Sequence, residues 1–258
     1  MNPIIFLWAH PRSMSTAIER IMRERGDFEC LHEPFLRYYY RQRAGKPLPH
    51  YEGGEDFADS YQGTRDLILE RAERGPVFAK DMSYYVIPEI LDDEVFCRRL
   101  RHCFLIRNPL QAILSYYRLD PEVSLDEVGL EMQWRHFEGL RALGMDNSIV
   151  LEAEAVQRDS STAMREFWRA LEIADKPQAL NWDQESTPDD WGYVQGWHQS
   201  VSASQGIRAP SVTDAGRKQA EFEQLCQTAP QLAAYLEHHQ PFYQQLREHS
   251  LGAHADES

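Results

Sequence analysis

The 258-residue chain has few cysteines, no long hydrophobic run and no excess of positive charge. Its four cysteines include no Cys-x-x-Cys pair and are too few to staple a chain of this length, so we expect reduced thiols that serve in packing. The longest early apolar run, Ile4 to Ala9, is too short to cross a bilayer and lacks the flanks of a secretory signal. These absences predict a cytoplasmic protein without a membrane partner.

The formal net charge of −14 argues against a nucleic-acid partner, because such binding depends on Lys and Arg that neutralise phosphates. The acidity is uneven, however. The first fifty residues hold eight Lys and Arg against five Asp and Glu, and a second basic cluster comprises Arg98, Arg99, Arg101 and Arg107. Such clusters are commonly solvated surface. Both adjoin the motifs described next, which indicates a small cationic pocket in an acidic shell.

Short apolar runs alternate with helical patterns such as Leu67 to Arg74 and Leu130 to Leu143. The runs are Ile4 to Ala9, Phe28 to Leu31, Val77 to Ala79, Cys103 to Ile106 and Ile149 to Leu151. Strands that alternate with helices predict an α/β fold with a central parallel sheet. Ligands of such sheets bind beyond the carboxyl ends of the strands, so the polar residues after each run form the candidate site.

The chain shows no repeat or linker, and we expect one domain over residues 1–250 with a disordered tail at 251–258. Residues 186–215 are rich in Ser, Thr, Asp, Gly and Pro, and a loop of that length usually has a function. Helical patterns resume near Ala215 and run to Leu246. The sequence does not fix the oligomeric state.

The segment after the first run is a candidate anion loop. Residues 10–16 read HPRSMST and open a helix, whose free backbone N–H groups and dipole favour an anion. Hydroxyls of Ser13, Ser15 and Thr16 can donate to phosphate or sulfate oxygens, and the Arg12 guanidinium offers a matching fork. The alternative is an ordinary helix start with capping hydroxyls. The motif GxxxxGK[ST] is absent, which counts against an ordinary nucleoside triphosphatase.

A second motif, FLIRNPLQAILSYY, occupies residues 104–117. Arg107 would leave the end of a buried strand, and Ser115 would lie about two turns into a helix that Pro109 starts, so both can face one phosphate. Seen alone, Arg107 would be a strand-end salt bridge and Ser115 a small packing residue.

Taken in order, the two motifs resemble the 5′-phosphosulfate loop and the 3′-phosphate motif of sulfotransferases that use 3′-phosphoadenosine 5′-phosphosulfate (PAPS). The resemblance covers about two thirds of the chain and extends more weakly over residues 149–173. It implies a three-layer, P-loop-like nucleotide-binding fold, PAPS as the donor and 3′,5′-diphosphoadenosine (PAP) as the product. Sulfuryl transfer requires no metal in principle. The implied donor-binding residues are Arg12, Ser13, Met14, Ser15, Thr16, Arg107 and Ser115.

The acceptor must lose a proton, so a base should follow a strand near the loop. Glu33 in LHEPF, at residues 31–35, is our candidate, because Pro34 and Phe35 would restrict and partly desolvate it. The alternative is a surface carboxylate in a turn. His32 and His198 compete, since imidazole titrates near neutrality.

Many cytosolic members of the family carry Lys-Thr-His after the third strand, with the His as base. This chain reads FAKDM at residues 78–82, so Lys80 keeps the lysine position while Met82 replaces the histidine. The branch with an Arg in the loop and a Glu after the second strand, which includes tyrosylprotein sulfotransferases, is more similar. Arg12 would then stabilise leaving-group charge and Lys80 sulfuryl charge, although a Lys-Asp pair is often a plain salt bridge.

The resemblance also implies a late segment that folds over the nucleotide, here residues 197–206. The family's Arg-Lys-Gly grip on the 3′-phosphate is absent, which leaves Arg208 or Lys218 as substitutes. Aromatic residues at this spacing more often serve in core packing, but they are also our candidates for acceptor selection: Tyr38, Tyr39, Tyr40, Tyr84, Tyr85 and Trp134. Nearby Arg37, Arg41 and Arg43 make an acidic or glycan-like acceptor conceivable.

The resulting hypothesis is a sulfotransferase that acts on a hydroxyl or amine of a small molecule. One alternative is a nucleotide-binding or regulatory module that has lost its chemistry, for which Met82 is the best support and Glu33 the best objection. The other is a small-molecule kinase, against which the loop's missing glycine and lysine count.

Overall fold

The structure, a computed structural model, describes residues 1–45, 47, 58–183, 191, 204–207, 209 and 214–252. Five strands form one parallel sheet in the order β2-β3-β1-β4-β5. They are β1 (Ile4–Ala9), β2 (Glu29–His32), β3 (Val77–Met82), β4 (Leu100–Ile106) and β5 (Ile149–Glu152). Every residue of β1 is buried, which explains its unbroken apolar run. The predicted α/β fold with a central parallel sheet is confirmed.

Helices connect and flank the strands. They are α1 (Ser15–Glu24), α2 (Leu36–Tyr38), α3 (Tyr61–Arg74), α4 (Ser83–Val86), α5 (Glu89–Asp92), α6 (Glu94–Cys97), α7 (Pro109–Tyr117), α8 (Leu130–Ala142), α9 (Ala153–Arg158), α10 (Ser160–Ala170), α11 (Asp214–Cys226) and α12 (Gln231–Arg247). The described residues also include a π-helical segment at Tyr39–Ala44 and 3-10 turns at Asp126–Val128 and Pro177–Leu180. Helix α3 begins before the predicted Leu67, where Ser60 Oγ accepts a hydrogen bond from Gly63 N at 3.2 Å.

The sheet separates two apolar layers, because alternate strand side chains point to opposite faces. Phe6 and Trp8 belong to the layer that includes residues of α8 and α12. Ile5 and Leu7 belong to the other layer, which includes residues of α1 and α10. The molecule therefore has the expected three-layer architecture, and the carboxyl ends of β1, β3 and β4 come together at one edge.

The segment after α12 returns to the outer edge of β5. The backbone N–H of Leu251 donates to the Val150 carbonyl at 2.9 Å, and Ser250 Oγ donates to Glu152 Oε1 at 2.6 Å. Residues 253–258 of the expected tail lie outside the described residues. Within the part of the chain that the structure describes, no helix is both long enough and apolar enough to span a bilayer.

Candidate active site

The loop between β1 and α1 has an unusual backbone. Arg12 and Met14 adopt left-handed conformations, with φ of 64° and 74°. A left-handed conformation costs a residue other than glycine roughly 1–2 kcal/mol, and such backbone strain is concentrated at functional sites. The loop is held in part by a hydrogen bond from Ser13 N to the His10 carbonyl at 3.2 Å.

The Ser13 hydroxyl does not act as an ordinary helix cap. Met14 is the N-cap of α1 and makes no side-chain capping bond. Ser13 is fully buried, and its Oγ has no hydrogen-bond partner among the residues that the structure describes. A buried hydroxyl without a partner is costly, so a helix start with this arrangement is suited to an anion that supplies the missing acceptor.

The second motif meets the loop directly. Arg107 follows β4 and donates from Nη1 to the Arg12 carbonyl at 2.7 Å, while Arg12 Nε donates to Ser115 Oγ at 3.0 Å. Asn108 caps α7 by accepting from Leu110 N at 3.0 Å. The structure therefore brings Arg12, Arg107 and Ser115 into one cluster.

Both guanidiniums of this cluster are largely desolvated. Burial, followed by repulsion from Arg107, lowers the pKa of Arg12 to about 10. Burial also lowers the pKa of Arg107, and its buried Nε lacks a partner within the described ranges. Both groups remain charged near neutrality. Two desolvated cations side by side favour a ligand with several negative charges.

Gln111 and Lys218 extend this cationic cluster. Gln111 Oε1 accepts from Arg107 Nη2 at 3.3 Å and from Lys218 Nζ at 2.8 Å. Lys218, on α11, is thus placed beside the Arg107 site, whereas Arg208 lies outside the described residues. Gln111 is absent from the sequence-based site. The sequence signal was its position four residues after Arg107, because residues four apart at a helix start lie on the same side.

The predicted base lies at the end of β2. Glu33 has φ of 44°, and its backbone N–H donates to the Lys80 carbonyl at 2.8 Å. Its Oε1 accepts from Lys80 Nζ at 2.6 Å, and its Oε2 lies 3.5 Å from the Tyr85 hydroxyl. The side chain of Glu33 is 11% exposed, and that of Lys80 is fully buried. The structure thus brings together the predicted catalytic carboxylate and ammonium.

The plain Lys80–Asp81 salt bridge, considered as an alternative, is not the pairing found. Adjacent side chains of β3 point to opposite faces of the sheet. The Asp81 carboxylate accepts instead from Phe35 N at 2.7 Å and from Met82 N at 2.9 Å. Burial, and then the neighbouring Glu33, raise the pKa of Asp81 well above its usual range.

A buried carboxylate that the sequence analysis missed lies behind this pair. Glu19 of α1 accepts from Arg23 at 2.9 Å and from Trp191 Nε1 at 3.0 Å, and its Oε2 lies 2.6 Å from His32 Nδ1. Lys80 Nζ is 3.8 Å from the same Oε2. Burial opposes ionisation, but His32, Lys80 and Arg23 together hold the pKa of Glu19 well below its usual range. The available signal was an acidic residue beside the apolar stripe of α1.

The aromatic residues expected to select the acceptor separate into two places. Tyr39 stacks on Tyr85 with ring centroids 4.8 Å apart, and Tyr84 lies 4.7 Å from Tyr85. Trp134 stacks instead on Phe137 at 5.7 Å. Tyr39, Tyr40 and Tyr84 therefore adjoin Glu33 through Tyr85, whereas Tyr38 contacts Tyr61 and Glu89. Trp134, on α8, also stacks on His249, which follows α12.

The three nearby arginines are matched by carboxylates. Arg37 and Arg41 pair with Asp59 at 2.8 Å and 2.6 Å. Arg43 lies 3.4 Å from Glu89 and donates to the Tyr85 carbonyl at 2.9 Å. Two carboxylates thus offset most of the charge of the three arginines, which weakens the case for an acidic acceptor.

Most of the predicted late segment lies outside the described residues, including His198 and residues 197–203. Trp191 is described, and it is buried against Glu19 with its ring centroid 6.2 Å from that of His32. One residue of the polar stretch 186–215 is therefore docked beside the Glu19–His32 cluster.

The sequence of the chain is similar to those of known proteins. Two plant proteins from Arabidopsis thaliana are 27% identical to this chain. They are branched-chain-amino-acid aminotransferase-like protein 2, aligned over 212 residues, and protein 1, aligned over 221 residues. Each alignment covers 80% of this chain but only 36% and 37% of the relative. The chain thus spans about a third of their length.

Two solved structures share the fold. A sulfotransferase domain from the curacin biosynthetic pathway has a TM-score of 0.50 at 16% identity, over 80% of this chain and 84% of that one. A sulfotransferase domain from the Synechococcus PCC 7002 olefin synthase has a TM-score of 0.50 at 17% identity, over 89% and 94%. The family model described as "Sulfotransferase domain" matches residues 3–240, and the chain therefore belongs to the sulfotransferase-domain family.

Proposed function

We propose that this protein transfers a sulfuryl group from PAPS to a hydroxyl or amine of a small-molecule acceptor. The observation that carries the proposal is the junction of Arg12, Arg107 and Ser115 at the ends of β1 and β4. The Glu33–Lys80 pair at the ends of β2 and β3 belongs to the neighbouring strands. A site for a polyanion and an acid–base pair thus share one edge of the sheet.

The residues present fit a donor with several anionic groups. Ser13 Oγ and Arg107 Nε are buried hydrogen-bond donors without a partner in the described part of the chain. In the proposal, residues 12–16 hold the phosphosulfate with backbone N–H groups and hydroxyls, and Arg107, Ser115 and Lys218 hold the 3′-phosphate. When bound, PAPS supplies the activated sulfuryl group.

The chemistry of the protein's own residues is proton transfer and charge stabilisation. The Glu33 carboxylate removes the proton from the attacking group of the acceptor. The Lys80 ammonium and the Arg12 guanidinium stabilise negative charge as it develops, and their preorganised, buried positions make such stabilisation effective. Arg12 acts as a fixed charge, since a guanidinium is a poor proton donor.

The surroundings of Glu33 favour an acceptor with an uncharged, aromatic or apolar body. Tyr85 adjoins Glu33 Oε2 and stacks on Tyr39, so the surroundings on that side of the carboxylate are aromatic. The arginines that suggested an acidic acceptor are paired with Asp59 and Glu89. We therefore place simple phenols and alcohols ahead of acidic sugars among the candidates.

Calorimetric titration with PAP tests donor recognition. We expect binding by the wild-type protein and a loss of about 10- to 100-fold in Arg107→Ala, because a charged contact with a phosphate is lost. Arg165→Ala, on the exposed face of α10, removes the same charge away from the site and serves as the control. Absent PAP binding, or equal affinity in Arg107→Ala and wild type, would refute the proposal.

A transfer assay with radiolabelled PAPS and a panel of phenols, alcohols, sugars and amines tests the chemistry. Glu33→Gln should keep PAP affinity and lose about 10²- to 10⁴-fold in turnover, the usual contribution of a general base. Tight PAP binding without transfer to any acceptor would favour the non-catalytic nucleotide-binding module. Full turnover in Glu33→Gln would assign the base to another residue.

A further inference from the structure

An imidazole lies between the two carboxylates of the site. His32 Nδ1 is 2.6 Å from Glu19 Oε2, and His32 Nε2 is 3.9 Å from Glu33 Oε1. Glu19 is fully buried, and His32 is nearly so. The arrangement Glu19–His32–Glu33 thus runs from the interior of the protein to the predicted base.

The hydrogen bond to Glu19 fixes which nitrogen of His32 carries a proton. Glu19 is ionised and can only accept, so Nδ1 must donate. Nε2 is then the nitrogen that gains or loses a proton, and it is the one that faces Glu33. The separation of 3.9 Å is longer than a hydrogen bond, and Lys80 Nζ holds the same Oε1 at 2.6 Å, so a direct transfer requires the Glu33 carboxylate to move toward the ring.

The charges around this group balance. Glu19 faces Arg23 from its own helix, Lys80 from β3, His32 from β2 and the indole N–H of Trp191. Glu33 in turn faces Lys80, His32 and the Tyr85 hydroxyl, with the buried Asp81 close by. Glu19 and Glu33 contribute two negative charges, and Arg23 and Lys80 contribute two positive ones. One further proton therefore needs a specific place, and His32 beside Glu19 offers it.

We propose that His32, oriented by Glu19, receives the proton that Glu33 takes from the acceptor. The inference rests on the proposed function. The O–H bond of the protonated Glu33 breaks, and an N–H bond forms at His32 Nε2. Glu33 returns to the carboxylate, and the imidazolium is held by Glu19 until its proton passes to solvent after product release. Glu19 is a positioning residue that acts through His32.

Nitrogen-15 NMR of the full chain, labelled at histidine, tests this coupling without an acceptor. His32→Gln assigns the signal. We expect wild-type His32 to carry its proton on Nδ1, and Glu33→Gln to lower its protonation midpoint by about one pH unit, because the facing negative charge is lost. Glu19→Gln should lower the midpoint further and abolish the preference for Nδ1.

Matched controls separate the relay from a merely structural contact. Glu24→Gln removes a carboxylate of the same helix that pairs with Arg20, and it should leave the His32 titration unchanged. A midpoint in Glu33→Gln within about 0.2 pH units of wild type, or a proton on Nε2 in wild type, would overturn the inference. The Glu33→Gln result stands even if Glu19→Gln fails to fold.

Hydrolysis of radiolabelled PAPS, with water as the acceptor, gives a kinetic readout. His32→Gln should lower kcat about tenfold with the KM for PAPS unchanged, and unchanged kcat would overturn the relay. Calorimetry with PAP on the wild-type protein distinguishes the two failures. Absent PAP binding refutes the proposed PAPS-dependent transfer, whereas PAP binding with an insensitive His32 refutes only the relay.

Discussion

Arg12 Nε donates to Ser115 Oγ at 3.0 Å across 103 positions of sequence. Arg107 completes the connection by donating to the Arg12 carbonyl. The strained loop after β1 is therefore held from the side by α7 and by the end of β4. The geometry of the loop at residues 10–16 and that of the Arg107–Ser115 pair are coupled through these two bonds.

Ser115→Ala should reduce PAP affinity by about 10- to 100-fold, because a hydrogen bond to a charged group contributes about 1.5–3 kcal/mol. The measurement is calorimetric titration with PAP. Ser161→Ala, an exposed serine of α10, should leave affinity unchanged. Equal affinity in Ser115→Ala and wild type would show that the hydroxyl only packs.

Lys218→Ala should weaken PAP binding about tenfold and flatten its salt dependence, because α11 brings this ammonium to the Arg107 site through Gln111. Arg217→Ala is the matched control, since it removes the same charge from the neighbouring, exposed position. The affinities are compared at two salt concentrations. An equal loss in both variants would indicate a general electrostatic effect.

Lys80→Met should destabilise the fold by about 3–5 kcal/mol, because it leaves Glu33 and Glu19 without the buried ammonium between them. The double variant Lys80→Met/Glu33→Gln should recover part of that loss. Urea denaturation of the two single variants and the double variant gives the coupling energy. Additive losses would mean that the two residues do not interact.

Gly129→Ala should cost more stability than Gly144→Ala. Both glycines have positive φ, of 83° and 74°. A Cβ at Gly129 would lie 3.2 Å from atoms of His10 and Tyr84, whereas a Cβ at Gly144 would meet no atom of the described residues within 4 Å. The backbone cost is shared, so the difference in unfolding free energy measures the contact, which we expect to be about 1–3 kcal/mol. Gly129→Ala should also weaken PAP binding, since it displaces the start of the loop.

Stability should fall between pH 6.5 and about 4. Burial lowers the pKa of His102 to about 4, and the hydrogen bond of its ring to the Cys97 carbonyl partly offsets that lowering of the pKa. The other ring nitrogen accepts a hydrogen bond from Trp8 Nε1 at 2.9 Å. The unfolded chain takes up this proton near pH 6.5 and the folded protein only near pH 4, so acid favours unfolding across that window. His102→Gln should remove up to about 1.4 kcal/mol per pH unit from the slope. Urea denaturation at pH 5, 6 and 7 measures it, with the exposed His249→Gln as control.

The strands and the placement of Arg12, Arg107 and Ser115 after them were predictable, because both depend on local order in the chain. A buried parallel strand is an unbroken apolar run, and its polar end lies at the ligand-binding edge by topology. The position of Arg107 relative to Ser115 follows from a helix that begins at Pro109.

Partnerships made by distant segments were not predictable in this way. Glu19 contacts Trp191, which lies 172 residues away in the sequence, and no local sequence pattern predicts that contact. The pairing of Arg37 and Arg41 depends on Asp59, which a turn of the chain brings back to them. The interpretation of Lys80 and Asp81 as a salt bridge was wrong for a different reason. Successive side chains of a strand point to opposite faces of the sheet, so these two side chains do not meet.

The hydrogen bond of Leu251 to Val150 occupies part of the outer edge of β5. Open strand edges are templates on which another chain can add a strand. At this edge the protein's own C-terminal segment takes that place, and Ser250 fastens it to Glu152. Removing residues 250 and 251 would therefore expose backbone donors and acceptors of β5 and favour self-association through the sheet.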